Sequence, residues 1–198
     1  PRFFDVTKGQ ILVDGTDVKD LKLHDLRSRI GYVPQKAVLF SGTIDSNIRY
    51  GREEATKEEV EKAAKIAQAW EFIREKEDGV QEAIAQGGTN VSGGQKQRLS
   101  IARAVAKNPE IYIFDDSFSA LDYKTDVVLR RALKQETKNA TTLIVAQRIS
   151  TILHADKILV LDEGRVVGQG THQELLKSCE VYRQIAMSQL SEEELANE

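Results

Sequence analysis

The chain has 198 residues, 40% apolar and 30% charged, with 28 basic against 31 acidic groups and a net charge of −3. That length corresponds to about one domain, holds a substantial core and, at this composition, excludes long disorder. Ser191–Glu198 carries four glutamates and no base, which leaves the body near +1, so the broad basic field of nonspecific nucleic-acid binding is absent.

The first strand is expected at Gln10–Val13, ended by the turn pair Asp14-Gly15. Leu21–Ser28 reads as a short helical turn, and Gly31–Gln35 as a strand that stops at Pro34. Thr43–Arg49 is a short helix. Thr56 and Glu59 have capping-box spacing and open a helix expected to run through Ala69. Ala83–Ser92 reads as loop. Gln95–Lys107 is helical by spacing and ends at Asn108-Pro109. Ile111–Phe114 is an apolar run of the kind found in buried parallel strands. A helix over Asp122–Lys138 follows, then a second buried strand at Thr141–Ala146. Lys157–Leu161 and Arg165–Gln169 flank Asp162-Glu163-Gly164 as a hairpin. Thr171–Glu174 is another capping box, opening a terminal helix. Strands alternating with helices predict an α/β fold, and no internal repeat interrupts it.

Several classes are excluded along the way. The longest uncharged stretch, Ala83–Gln95, has 13 residues, against the roughly 20 apolar residues of a membrane-spanning helix. The start has no signal-peptide pattern. The single Cys179 rules out an intrachain disulfide framework and fits a reducing compartment. His24, His154 and His172 lack metal-ligand spacing. Pro1-Arg2-Phe3-Phe4 has no initiator Met and reads as a cut through something larger.

Three places carry residue types that can hold an anion or a metal. Ser92-Gly93-Gly94-Gln95 opens a helix, whose free N–H groups and dipole favour an anion while the glycines allow close approach. By itself such a segment is as readily a glycine turn that caps a helix. Asp115 and Asp116 end the Ile111–Phe114 strand, at the carboxyl edge where α/β sheets bind ligands. A carboxylate there suits Mg²⁺ held mostly through water and phosphate, and equally a solvent-facing cap. Gln35 follows a strand and a proline, where an amide can ligate a metal, orient water or simply face solvent.

Together, the run Val91–Ala104 (VSGGQKQRLSIARA) resembles the signature of ATP-binding-cassette (ABC) ATPases. Phe114-Asp115-Asp116 is similar to that family's Walker B, Ser119–Asp122 to its D-loop, and Gln35 after Tyr32-Val33-Pro34 to its Q-loop, all in the family's order. The stretches VPQKAVLFSGTIDSNIRYG and ADKILVLDEGRVVGQGTHQELL resemble the exporter branch, most nearly one half of a bacterial heterodimeric multidrug exporter.

The resemblance implies a P-loop NTPase core with a mostly parallel sheet and an inserted helical sub-domain. Residues 1–198 would form the nucleotide-binding domain, about 36–100 the helical sub-domain with the signature, and about 170–198 a C-terminal helix and acidic tail. ATP and Mg²⁺ are the implied ligands, with Asp115 and Gln35 toward the metal and Asp116 and Gln147 in the catalytic positions. Ser92, Gly93, Gly94, Gln95 and Asp122 would serve, in trans, the nucleotide of a second ABC ATPase domain. Membrane-spanning domains of the same transporter are the other implied partner, at the cytoplasmic face of the plasma membrane, with no nucleic acid. Glu82–Gly88 sits where exporters carry a loop that touches those domains.

Three features depart from the pattern. The G-x-x-x-x-G-K-[ST] loop, which cradles phosphates on backbone N–H groups, does not occur, since no glycine precedes a lysine. Asp116 stands where competent members carry Glu, and Gln147 where they carry His. Loss of positioned acid–base help costs on the order of 10²–10⁴-fold in rate, so this chain's own site is expected to turn over slowly while its signature serves a partner. Alternatives are an ABC ATPase acting on ribosomes or DNA, and a non-hydrolysing regulatory module.

Overall fold

The chain opens with a small antiparallel hairpin, β1 (Leu12–Val13) and β2 (Thr16–Asp17). Asp14 and Gly15 between them both have positive φ, at 50° and 79°, the combination a two-residue type I′ turn requires. α1 (Leu23–Ser28) buries Leu26 and leads into β3 (Ile30–Val33), which stops at Pro34 as expected. β4 (Gly42–Thr43) and α2 (Ile44–Arg49) follow, with Thr43 and Ser46 closing a capping box at the helix start.

α3 (Lys57–Ile66) opens on the expected Thr56–Glu59 capping box, but it ends before Ala69. Gln68 takes a left-handed backbone at φ 55°, which breaks the turn and starts a separate short helix, α4 (Trp70–Arg74). The expected loop at Ala83–Ser92 contains β5 (Ala83–Ile84), paired antiparallel with β4, and a 3₁₀ turn at Gln86–Gly88. Two residues of ladder are too short to leave a period in sequence.

α5 (Gly93–Lys107) is the longest helix among the described residues, and Asn108 ends it in the left-handed conformation at φ 52°. α2 and α3 pack on it and bury Ile44, Ile48, Val60, Ala63, Leu99, Ile101 and Ala102. β6 (Ile111–Asp115) runs parallel to β3 in the register Ile30↔Ile111 through Val33↔Phe114. Gly31 permits that approach, since a Cβ there would lie 2.7 Å from the Pro109 ring. α6 (Tyr123–Glu136) begins after its cap Asp122 and ends at Thr137.

β7 (Thr141–Val145) is last in the sheet order β3-β6-β7. The expectation of a buried strand fails here, because Leu143 is 53% and Val145 50% exposed. An apolar run states what its residues prefer, and it reads the same whether or not a neighbour covers them.

The structure, a computed structural model, describes residues 1–190 and divides into two units, at Leu143 and Ile144. The second unit holds α7 (Ile149–Ile152), β8 (Ile158–Asp162), β9 (Arg165–Gly170), α8 (His172–Ser178) and α9 (Glu180–Gln189). β8 and β9 form the expected hairpin around Glu163-Gly164, with positive φ at both turn residues. The expected single terminal helix is two, because Cys179 leaves helical geometry at φ −123°. Ile149, Ile158, Val160, Leu175, Tyr182 and Ala186 are the core of this unit. The acidic tail Ser191–Glu198 lies outside the described residues.

Candidate functional site

Parallel pairing of β3 and β6 brings their carboxyl ends side by side. Two buried polar groups hold those ends together. The Ser117 hydroxyl donates to the Val33 carbonyl at 2.8 Å, and the Gln97 amide, from α5, donates to the Pro34 carbonyl at 3.2 Å.

On this edge, Asp115 is the last residue of β6, and its Oδ2 accepts from the Tyr32 hydroxyl at 3.0 Å. Burial, and the Asp115 carboxylate beside it, hold the Tyr32 phenol above its ordinary pKa, so it is a proton donor at neutral pH. Asp116 accepts at Oδ2 from the Gln35 amide at 3.2 Å. Its backbone is left-handed at φ 44°, a conformation that Asp tolerates better than longer side chains because it bonds locally. The Ser119 hydroxyl donates to the Asp116 carbonyl at 2.9 Å and steadies the turn. The structure therefore joins Gln35 to Asp116 and Asp115 to Tyr32.

Among the described residues no cluster of three or more His, Cys, Asp or Glu side chains forms. Two carboxylates and an amide at a strand edge are the donor set of a hard divalent cation that keeps water and phosphate in its shell. They do not make an all-protein cage.

The second group of candidates opens α5. Ser92 Oγ accepts from the Gln95 N–H at 3.2 Å, and Gln95 Oε1 accepts from the Ser92 N–H at 3.0 Å. Capping thus uses the acceptor side of the hydroxyl and leaves its O–H able to donate outward. Gly93 and Gly94 have no positive φ. A Cβ on Gly93 would meet nothing within 4 Å, and one on Gly94 the Ala120 carbonyl at 3.6 Å and the Leu121 side chain at 4.0 Å, both ordinary contacts. Nothing among the described residues requires glycine at either position, so what they keep clear is the space outside the helix terminus.

Arg98, half-buried on α5, donates to the carbonyls of Gly94 at 3.3 Å and Gln68 at 2.7 Å and lies 4.8 Å from the Phe72 ring centroid. Burial lowers its basicity. Asp122 accepts from the Thr125 N–H at 3.0 Å as the cap of α6. The Thr125 side-chain and backbone hydrogen bonds hold its carboxyl below the ordinary Asp value.

Gln147 belongs to the second unit, exposed between β7 and α7. Its carbonyl accepts from Gln189 Nε2 at 2.9 Å, and Gln189 Oε1 accepts from the Ile149 N–H at 2.8 Å. The other residues weighed in sequence have structural settings. His172 is buried with Nδ1 2.7 Å from the Tyr182 hydroxyl, Cys179 is a buried thiol and His154 is exposed. Phe72 is core as expected, while Trp70 is only half-buried.

Sequence reading missed Tyr32, Ser117 and an aromatic surface. The two-residue strand period was the available signal for Tyr32, since it places Tyr32, Ile113 and Asp115 on one face. The aromatic surface is Phe40 stacked on Tyr50, with centroids 4.3 Å apart. They are 42% and 63% exposed. The Arg103 guanidinium lies 5.2 and 5.4 Å from the two rings and donates to the Val38 carbonyl at 3.0 Å and to Asn47. No signal for it exists in sequence, because the pairing is made by the fold.

The sequence pattern of the ABC transporter family matches residues 2–119. Over 191 residues the chain is 48% identical to an "Uncharacterized ABC transporter ATP-binding protein" of Mycobacterium tuberculosis, covering 95% of this chain and 32% of that one. It is 49% identical over 185 residues to a "Putative multidrug export ATP-binding/permease protein" of Staphylococcus aureus, covering 93% and 32%. Among solved structures, a bacterial Atm1-family ABC exporter with ATP bound superposes with a TM-score of 0.93 at 41% identity, covering 96% of this chain and 34% of that one. The chain spans about a third of the length of the curated relatives it matches.

Proposed function

This chain belongs to the ABC transporter family, and we propose that it is the nucleotide-binding part of an exporter, in which ATP binding closes a pair of such domains and hydrolysis reopens them. The observation that carries this reading is the opening of α5, where two glycines that nothing among the described residues requires leave a capped helix terminus clear. A helix N-terminus with bare backbone N–H groups suits phosphate oxygens. In the proposed arrangement Ser92, Gly93, Gly94 and Gln95 face the nucleotide held by a second ATPase domain, and Asp122 lies at the same interface. The helical stretch 36–100 is the sub-domain that presents them.

At the chain's own site, Asp115 and Gln35 would hold a Mg²⁺ ion, which would supply neutralisation of the phosphate charge. In this proposal Asp116 orients the attacking water, and Gln147 is assigned to the terminal phosphate by its sequence position alone. Asp116 is one methylene shorter than Glu, and Gln147 carries no protonic charge, so this site binds ATP and hydrolyses it slowly. An asymmetric pair follows, in which this chain lends an intact signature to a partner with the faster site. The exposed Phe40–Tyr50 pair, pinned by Arg103, docks the membrane-spanning part at the cytoplasmic face. The permease named in the S. aureus relative supports that partner, and the exported compounds are drugs or lipids.

The test is ATP turnover by the full-length protein, alone and with a second ATPase subunit. Turnover that rises on pairing and falls when Gly94 of this chain is substituted supports the reading. Turnover indifferent to both overturns it.

A further inference from the structure

We propose that Tyr32 is a positioning residue for the metal-facing carboxylate of Asp115, an inference that rests on the reading of Asp115 given above. Tyr32 and Ile113 are register partners on the parallel strands β3 and β6. Two residues on, Asp115 shares the face of Ile113, so the Tyr32 ring lies diagonally across from it. Tyr32, like Ile111 and Ile113, packs against the cluster of Val18, Leu26 and Ile30, and Phe3 meets its ring edge-on at 5.4 Å between centroids. Apolar packing fixes the ring, and the fixed ring delivers its hydroxyl to Asp115 Oδ2 at 3.0 Å.

A donor on one carboxylate oxygen chooses which oxygen remains. With Oδ2 holding the Tyr32 proton, Oδ1 is the atom left to face the cation and its water. A charge-assisted hydrogen bond of this kind is among the stronger ones, and partners one bond removed from a metal set the orientation of the groups that face it. Tyr32 therefore acts on the metal through Asp115 without touching nucleotide or cation. The strand that leads to Gln35 thus contributes a residue of its own to the site, from inside the sheet.

The experiment compares Tyr32→Phe, Asp115→Asn and the double variant in the full-length protein. The readout is Mg²⁺-dependent binding of ATP, together with Mn²⁺ binding followed by paramagnetic resonance. Tyr32→Phe keeps the ring and its packing, so the expected result is a metal midpoint raised on the order of 10-fold. ATP binding in excess chelator and the thermal midpoint stay unchanged, and the double variant matches Asp115→Asn alone. A shift with Asp115→Asn but none with Tyr32→Phe overturns this inference and leaves the reading of Asp115 standing. No shift with Asp115→Asn overturns both. An equal loss of ATP binding with and without metal, or a lowered thermal midpoint, makes Tyr32 structural and overturns the inference.

Discussion

The Gln35 amide donates to the Asp116 carboxylate at 3.2 Å across 81 residues of sequence. One residue comes from the loop after β3, the other from the turn after β6, and the parallel register puts both just beyond paired strand ends. The amide restrains a carboxylate whose backbone is already left-handed. Asp116 is thus held by its own turn and by the neighbouring strand's loop at once.

That restraint bears on the two departures from the family pattern. Asp116→Glu together with Gln147→His is expected to raise ATP turnover at this chain's own site by about 10²-fold, the lower range of positioned acid–base assistance. The Glu side chain bonds less well within a left-handed turn, so stability falls by about 1 kcal/mol. Single-site turnover in the full-length protein, with the partner's site inactivated, is the measurement, and an unchanged rate would count against the slow-site assignment.

Gly94→Ala separates folding from nucleotide contact. The added methyl would sit 3.6 Å from the Ala120 carbonyl, an ordinary contact, and Ala is the better helix former by up to about 1 kcal/mol. The thermal midpoint is expected to hold or rise while nucleotide-driven pairing of the two domains weakens at least tenfold. Pairing that survives the substitution would remove the glycine argument.

Tyr50→Ala tests the aromatic surface. Tyr50 is 63% exposed, so its loss is expected to cost about 1 kcal/mol through the Phe40 stack and the Arg103 contact. ATP binding should be unaffected, while stimulation of hydrolysis by transported compounds is lost. Retained stimulation would place the docking surface elsewhere.

Alkaline stability reports the core. Burial pushes the Tyr112 phenol up to about 12, from about 10 when the chain is unfolded. Below pH 10 both states keep the proton. Between 10 and 12 the unfolded state gives it up first, so stability falls as pH rises through that window. The urea midpoint of the wild type should decline there more steeply than that of Tyr112→Phe, and equal slopes would show the phenol to be solvated.

The sequence by itself determined the order of the elements, the capping boxes at Thr56 and Thr171, the glycine turn that opens α5, and the strand that leads into Asp115 and Asp116. Each of these is written in a few neighbouring residues, where local hydrogen bonding and period decide conformation. Only the tertiary structure decided that Gln35 bonds Asp116, that Tyr32 bonds Asp115 and that Arg103 gathers Phe40 and Tyr50. It also decided that β7 is exposed and that α3 stops at a left-handed Gln68. Those outcomes depend on which strand lies beside which, and on what covers an apolar face, and the chain sets both through contacts between residues far apart in sequence.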